Sequence, residues 1–154
     1  ITEALQLFRG SLRRFEKVGE RGSVMLYDDY AHHPSQLFAT LQAARQWLPL
    51  YRIIAVFQPH TYSRTKALLE QFAKSFTYAD HVIITDIYAS SRENIDPSIS
   101  GFKLAEAVKN HHASVEYIPR NDLVAHLKAT LQDRDALFTL GAGDIYQIHQ
   151  DLCQ

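Results

Sequence analysis

Two carboxylates, a phenol and two imidazoles lie close together in the segment Asp28-Asp29-Tyr30-Ala31-His32-His33-Pro34. The run before it, Ser23–Tyr27, is β-branched and apolar, which predicts a buried strand. Pro34 suits the first turn of a helix, because its missing N–H would have no partner there. The segment is therefore predicted to join the carboxyl end of a strand to the amino end of a helix, where α/β proteins bind ligands and anions are favoured.

Three more polar segments follow predicted strands in the same way. These segments, with the apolar runs before them, are 60–64 after 52–57, 86–93 after 81–85, and 141–144 after 136–140. Because parallel strands end at one edge of a sheet, we expect all four segments to meet there.

Arg64 is the cation best placed to bind a substrate in these segments. A guanidinium group binds a carboxylate or phosphate at two points, so Arg64 beside His60 predicts a small anionic substrate. The structural alternative is an ion pair of Arg64 with Asp29 or Asp86.

Other motifs also have structural alternatives. A metal-dependent hydrolase could use His32, His33 and His60, but adjacent histidines point in different directions and no third ligand follows at helical spacing, so we predict no metal site. Asp28 could cap the following helix as readily as act in a site. The glycines of Gly141–Gly143 lack the rest of a dinucleotide fingerprint, which favours a tight turn over a phosphate cradle.

The elements around these segments alternate between strand and helix. A lead-in over residues 1–10 and a strand over 11–22, ending in a turn at 19–22, indicate an antiparallel edge hairpin. Helices are predicted over 34–47, 65–76, 101–110 and 145–152, with a further helix capped by Asn121 and running to about 131. The pattern predicts an α/β, three-layer, Rossmann-like domain with about six strands in a mainly parallel sheet and helices on both faces.

Composition limits the function classes. The 154 residues are 46% hydrophobic, which suits one domain over 1–154, and the net charge of −1 predicts neither nucleic-acid nor membrane binding. Cys153 is the single cysteine, which favours the cytoplasm. None of the six glycines precedes a lysine, so the chain lacks a Gly-Lys phosphate loop. The start at Ile1 indicates a fragment of a longer enzyme.

The motifs together resemble one family, the carboxyl-terminal domain of the Mur ligases, which are ATP-dependent amide-forming enzymes of peptidoglycan synthesis. Asp29–Pro34 is similar to the family pattern Asp-Tyr-Ala-His-x-Pro. The longer forms Asp28–Pro34 and Phe57–Thr65 resemble the members that add L-alanine to UDP-N-acetylmuramate. Further similar segments are Arg13–Glu16, Asp86–Ala89 and Gly141–Ile145.

The resemblance implies a reaction in which ATP phosphorylates the lactyl carboxylate of UDP-N-acetylmuramate and the amine of L-alanine attacks the acyl phosphate. It also implies that ATP and Mg²⁺ are held mainly by a central domain, and the UDP sugar by an amino-terminal domain, both outside this chain. Two alternatives remain open: a ligase that recycles murein tripeptides, and a free-standing nucleotide-binding module.

The resemblance further implies roles for single residues. Arg14, on the first strand, and Asp29 correspond to nucleotide-binding positions. The expected contacts of the amino acid and acyl group are Tyr30, His32, His60 and Arg64, of which His32 and Arg64 are the expected catalytic residues. Some relatives carry arginine at the position of Thr61, so a second guanidinium contact is not expected here.

Overall fold

A six-stranded sheet organises residues 13–153, the part of the chain that this computed structural model describes. The strands are β1 Glu16–Arg21, β2 Val24–Asp29, β3 Arg52–Phe57, β4 His81–Ile84, β5 Val115–Tyr117 and β6 Asp135–Leu140. The helices are α1 Pro34–Trp47, α2 Tyr62–Ala67, α3 Leu69–Ala73, α4 Gly101–Lys109, α5 Leu123–Thr130 and α6 Ile148–Leu152, with a 3₁₀ turn at Ile145–Gln147.

The strand order is β1-β2-β6-β3-β4-β5, in which only β1 and β2 pair antiparallel. The predicted α/β class, the mainly parallel sheet and the antiparallel pairing at its edge are therefore confirmed. Strand β6, the last to be added along the chain, lies between β2 and β3. This insertion brings the carboxyl ends of β2, β6 and β3 side by side.

Helices cover both faces of the sheet. Alternate strand residues point to opposite sides, so each face presents apolar side chains that a helix buries. In β3, Ile53, Ala55 and Phe57 pack in one cluster, which also contains core residues of α1, α3 and α4. Ile54 and Val56 pack in the other cluster, with α5 and α6. The central strands are apolar on both faces for this reason, as a covered parallel sheet requires.

The antiparallel edge pair is formed by β1 and β2, whereas the predicted hairpin joined 1–10 to 11–22, and the turn predicted at 19–22 was also placed too early. Gly19 lies inside β1 at a register shift, and the turn is formed by Gly22 and Ser23. Gly22 has a φ of 61°, a conformation that glycine adopts without strain. A glycine inside a strand commonly marks a bulge, which explains why Gly19 resembled a turn residue. The predicted lead-in over 1–10 lies outside the described residues.

Three predicted helices differ from the observed ones. The helix predicted over 65–76 begins at Tyr62 and is interrupted at Leu68, so Arg64 lies on a helix and not in a loop. The helix after β5 has Asp122 rather than Asn121 at its N-cap position, and the Asp122 side chain forms no capping hydrogen bond. The closing helix begins as a 3₁₀ turn. Among residues 13–153, every helix is too short or too polar to cross a lipid bilayer.

Candidate functional site

The carboxyl ends of the central strands are joined by backbone hydrogen bonds just beyond the regular ladder. The N–H of Gly141 donates to the carbonyl of Asp29 at 3.1 Å, and the N–H of Gln58 donates to that of Leu140 at 2.9 Å. The N–H of Thr85 donates to the carbonyl of Phe57 at 3.0 Å. The polar segments that follow β2, β3, β4 and β6 therefore begin next to one another.

Four ring side chains form a continuous row along this edge. The Tyr30 and His32 rings meet edge-on with centroids 5.2 Å apart, and His32 lies 6.4 Å from His60. His60 stacks on Tyr88 at 5.8 Å. The structure thus brings together three predicted site residues. It adds Tyr88, which lies in the family-like segment Asp86–Ala89 but was given no role from the sequence.

Arg64 extends this row from the first turn of α2. Its Nη1 lies 3.4 Å from the Nδ1 of His60 and 3.5 Å from the carbonyl of the same residue. The predicted alternative, an ion pair with Asp29 or Asp86, is wrong: within residues 13–153, no ion pair includes Arg64. Asp86 instead accepts hydrogen bonds from the Tyr117 hydroxyl and the N–H of Arg120.

The protonation of His60 follows from its surroundings. Burial lowers the pKa of its imidazole, and the neighbouring Arg64 and His32 lower it further, against the smaller opposing effect of Glu93. Neutral His60 is therefore favoured at pH 7. A neutral imidazole can accept a proton from an attacking amine, which a charged one cannot.

Asp29 lies on the other side of Tyr30, at the end of β2. Its carboxylate accepts the N–H of Phe15 at 2.7 Å and the N–H of Ala31 at 2.8 Å. Burial raises the pKa of Asp29, although these two hydrogen bonds oppose that shift. Asp29 and Arg14 line a cavity of about 260 Å³ together with Tyr30 and His32.

This cavity brings the two predicted nucleotide-binding residues together. Arg14 is exposed and precedes β1, so its predicted place on the first strand is wrong. A carboxylate has about four lone-pair directions, so Asp29 can accept hydroxyl hydrogen bonds beyond its two backbone contacts. The cavity is below the usual range of about 300–1,000 Å³ for ligand pockets. A cavity of this size is too small to enclose a whole ligand of the usual size.

Asp28 does not cap the helix. It pairs with Thr139 in the ladder between β2 and β6, and its side chain is 1% exposed. Its carboxylate accepts the Nε of Arg13 at 2.8 Å and the hydroxyl of Thr139 at 2.6 Å, and that hydroxyl also lies 2.7 Å from Nε2 of His149. The amino end of α1 is satisfied by the Gln36 side chain, which accepts the N–H groups of both preceding histidines.

Arg13 is the functional neighbour that sequence analysis missed. It donates to the carbonyls of Gly141 at 2.7 Å and Gly143 at 3.2 Å, and its guanidinium lies 5.1 Å from the Tyr30 ring and 4.4 Å from the Tyr146 ring. The glycine segment, predicted to be a tight turn, is a bend over residues 142–144, and Arg13 holds one carbonyl before it and one within it. A buried aspartate in a strand requires a cation nearby. This requirement of Asp28 was the feature of the sequence that could have pointed to an arginine partner.

The histidines of the first segment do not form a metal cluster. His33 contacts the hydroxyl of Ser35 and is not part of the row that contains His32 and His60. Across residues 13–153, no group of three or more histidine, cysteine or acidic residues has a geometry that could hold a metal ion.

Comparison with known proteins places this arrangement in a family. Residues 13–143 match the family model of the Mur ligase, glutamate ligase domain, and this range includes the predicted site residues Arg14, Asp29, Tyr30, His32, His60 and Arg64. The chain belongs to the Mur ligase family.

Individual relatives agree with the family match. The chain is 46% identical over 154 residues to a UDP-N-acetylmuramate–L-alanine ligase of Desulfosudis oleivorans, covering 99% of this chain and 34% of that protein. It is similar, with a TM-score of 0.78 and 26% identity, to the UDP-N-acetylmuramate–alanine ligase structure from Thermotoga maritima, covering 97% of this chain and 31% of that one. The chain thus spans about a third of the length of each of these relatives, and the rest of each ligase lies outside the matched part.

A third comparison concerns a domain solved by itself. It comes from a UDP-N-acetylmuramate:L-alanyl-gamma-D-glutamyl-diaminopimelate ligase of Haemophilus ducreyi, with a TM-score of 0.65 and 26% identity, covering 91% of this chain and 97% of that one. A Mur ligase domain of this extent therefore folds without the rest of its enzyme.

Proposed function

We propose that this chain is one domain of a longer, cytoplasmic UDP-N-acetylmuramate–L-alanine ligase, in which it binds the amino acid and completes the nucleotide site. The observation that carries the proposal is the contact between Arg64 and His60 in a row that continues through His32 to Tyr30. The 46% identity to a ligase of that name favours L-alanine over a tripeptide.

The amino acid would bind with its carboxylate on Arg64. A guanidinium fork matches a carboxylate at two points and fixes its orientation. The amine would then lie near His60, whose neutral imidazole can take the proton that the amine loses on attack. Holding the amine in this orientation supplies much of the rate, because two bound reactants must meet.

His32 and Tyr30 would bound the site on its other side. Both rings stand between the Arg64–His60 contact and the cavity lined by Arg14 and Asp29. His32 and Arg64 would offset negative charge as the tetrahedral centre forms at the acyl group. In this order the amino acid and the nucleotide would occupy adjacent positions along one edge of the sheet.

ATP and Mg²⁺ would be held mainly by the part of the ligase outside this chain. ATP supplies the phosphoryl group that activates the lactyl carboxylate of UDP-N-acetylmuramate. Arg14 and Asp29 would contribute to nucleotide binding, in a cavity that is too small to enclose a whole ligand of the usual size.

Steady-state kinetics of Arg64→Ala in the longer ligase test this assignment. We expect the KM for L-alanine to rise at least tenfold, because a charge-assisted contact is lost, while the KM for ATP changes less than twofold. Equal effects on both KM values would reject the role of Arg64. Assays with L-alanine and with the tripeptide as alternative amine substrates distinguish the two ligases.

A further inference from the structure

The amino end of α2 is held by a carboxylate from a different segment. Glu93 accepts the N–H of Tyr62 through Oε2 and the N–H of Ser63 through Oε1, each at 2.8 Å. These are two of the N–H groups that a helix leaves without an internal partner at its start. The bonds are charge-assisted, and the carboxylate lies at the favourable, positive end of the helix dipole.

The segment that carries Glu93 is bonded to the His60 segment at two further points. The N–H of Thr61 donates to the carbonyl of Tyr88 at 3.1 Å, and the N–H of Tyr88 donates to that of Pro59 at 2.8 Å. Residues 88–93 therefore run beside residues 59–63 as a fixed strap. Glu93 is the only charged group of this strap that bonds to α2 among the described residues.

α2 needs such support because of its length and its entry. It has six residues, fewer than a helix needs to be stable without tertiary contacts. Thr61, just before it, has a φ of 70°, a strained conformation for a β-branched residue. The Thr61 hydroxyl accepts the N–H of Arg64 only at 3.4 Å, near the limit of a hydrogen bond. The two bonds of Glu93 are thus the charge-assisted restraints on the first turn, beside the bond that the buried Thr65 hydroxyl donates to the Thr61 carbonyl at 2.7 Å.

We propose that Glu93 is a positioning residue, which fixes the first turn of α2 so that Arg64 and His60 keep the spacing needed to bind the amino acid. The claim that this spacing serves amino-acid binding rests on the proposed function. The claim that Glu93 fixes the first turn of α2 rests on the contacts alone. The contacts of Glu93 are with the backbone N–H groups of Tyr62 and Ser63, and through them it would act on Arg64.

The charge of Glu93 has a second effect on the same pair. Glu93 raises the pKa of His60, whereas burial, Arg64 and His32 lower it. The hydroxyl and N–H of Ser63, with the N–H of Tyr62, hold the pKa of Glu93 below its ordinary value, so the carboxylate stays charged at pH 7. Loss of this charge should therefore lower the pKa of His60 further.

Glu93→Gln in the 154-residue chain tests the geometric part. The amide keeps the size of the side chain but loses the charge and one of the two acceptors. We expect exchange of the Tyr62 and Ser63 amide hydrogens to accelerate about tenfold, and the pKa of His60 measured by NMR to fall. Glu70→Gln is the matched control, because Glu70 is an exposed acid of α3 whose ion-pair partners are Lys74 and His111, neither of which lies on α2. Unchanged exchange in Glu93→Gln would overturn the proposal.

Kinetics in the longer ligase test the functional part. We expect Glu93→Gln to raise the KM for L-alanine about tenfold with a KM for ATP within twofold, and Glu93→Asp to recover part of the loss. An unchanged KM for L-alanine, alongside a large effect of Arg64→Ala, would refute the positioning role and leave the proposed function standing. No alanine effect in either variant would instead reject the proposed function.

Discussion

Replacement of Arg13 by alanine should strongly destabilise the chain. Arg13 supplies the countercharge of Asp28, whose side chain is 1% exposed. It also donates to the carbonyls of Gly141 and Gly143, so it joins the start of the described chain to the turn after β6. Alanine would leave Asp28 with the Thr139 hydroxyl as its remaining donor.

The magnitude follows from the burial of the two partners. Removal of one partner from a buried ion pair costs about 3–5 kcal/mol, because the remaining charge is left uncompensated. The Arg13 side chain is 22% exposed, so water can partly replace it and the lower end applies. We therefore expect a loss of about 3 kcal/mol. With a urea m-value of about 2 kcal/mol/M, the unfolding midpoint should fall by about 1.5 M.

Urea unfolding of the 154-residue chain at pH 7.5, followed by circular dichroism, measures this loss. Arg14→Ala is the matched control, since Arg14 is the adjacent arginine, is exposed and forms no ion pair among the described residues. It should change the free energy of unfolding by less than about 0.5 kcal/mol. Equal effects of the two substitutions, or a loss below about 1 kcal/mol for Arg13→Ala, would refute this account of Asp28.

Two other substitutions, at His149 and Gly143, test the same edge of the sheet, and a third, at Gly22, is the control. Burial lowers the pKa of His149 in the folded state below its pKa in the unfolded chain, so the free energy of unfolding should fall as the pH drops below about 6.5. His149→Gln should make the urea midpoint less dependent on pH between 7.5 and 5.5. An unchanged dependence of the midpoint on pH would contradict this. Gly143→Ala would place a Cβ 2.4 Å from the Gln58 side chain and 2.6 Å from the Tyr88 ring, and should cost about 1–3 kcal/mol. Gly22→Asn, at a turn with open space and a φ of 61°, should stay within about 0.5 kcal/mol by the same unfolding assay, and equal losses at both glycines would contradict the packing argument.

The sheet could be predicted from the sequence because its strands are apolar on both faces. Runs such as 52–57 and 136–140 are typical of covered parallel strands, and alternation with helices restricts the topology. The edge at which the polar segments meet follows from parallel pairing alone. The helix boundaries were harder to predict, because α2 begins where Glu93, some thirty residues later, satisfies its first N–H groups.

The candidate site was predictable where a residue acts through its own segment. Tyr30, His32, His60 and Arg64 all follow predicted strands, and the structure brings them together. The residues that support them were not predictable, because their partners are distant in sequence. Arg13 contacts Gly141, 128 positions away, through a pairing that only the insertion of β6 beside β2 creates.

The most direct test of the amino-acid site is a crystal structure of the longer ligase with its product, UDP-N-acetylmuramoyl-L-alanine. We expect the Arg64 guanidinium to lie about 3 Å from the alanyl carboxylate, with His60 beside the new amide nitrogen. A product whose carboxylate is bound by another group, with Arg64 and His60 turned away from it, would contradict the proposed site.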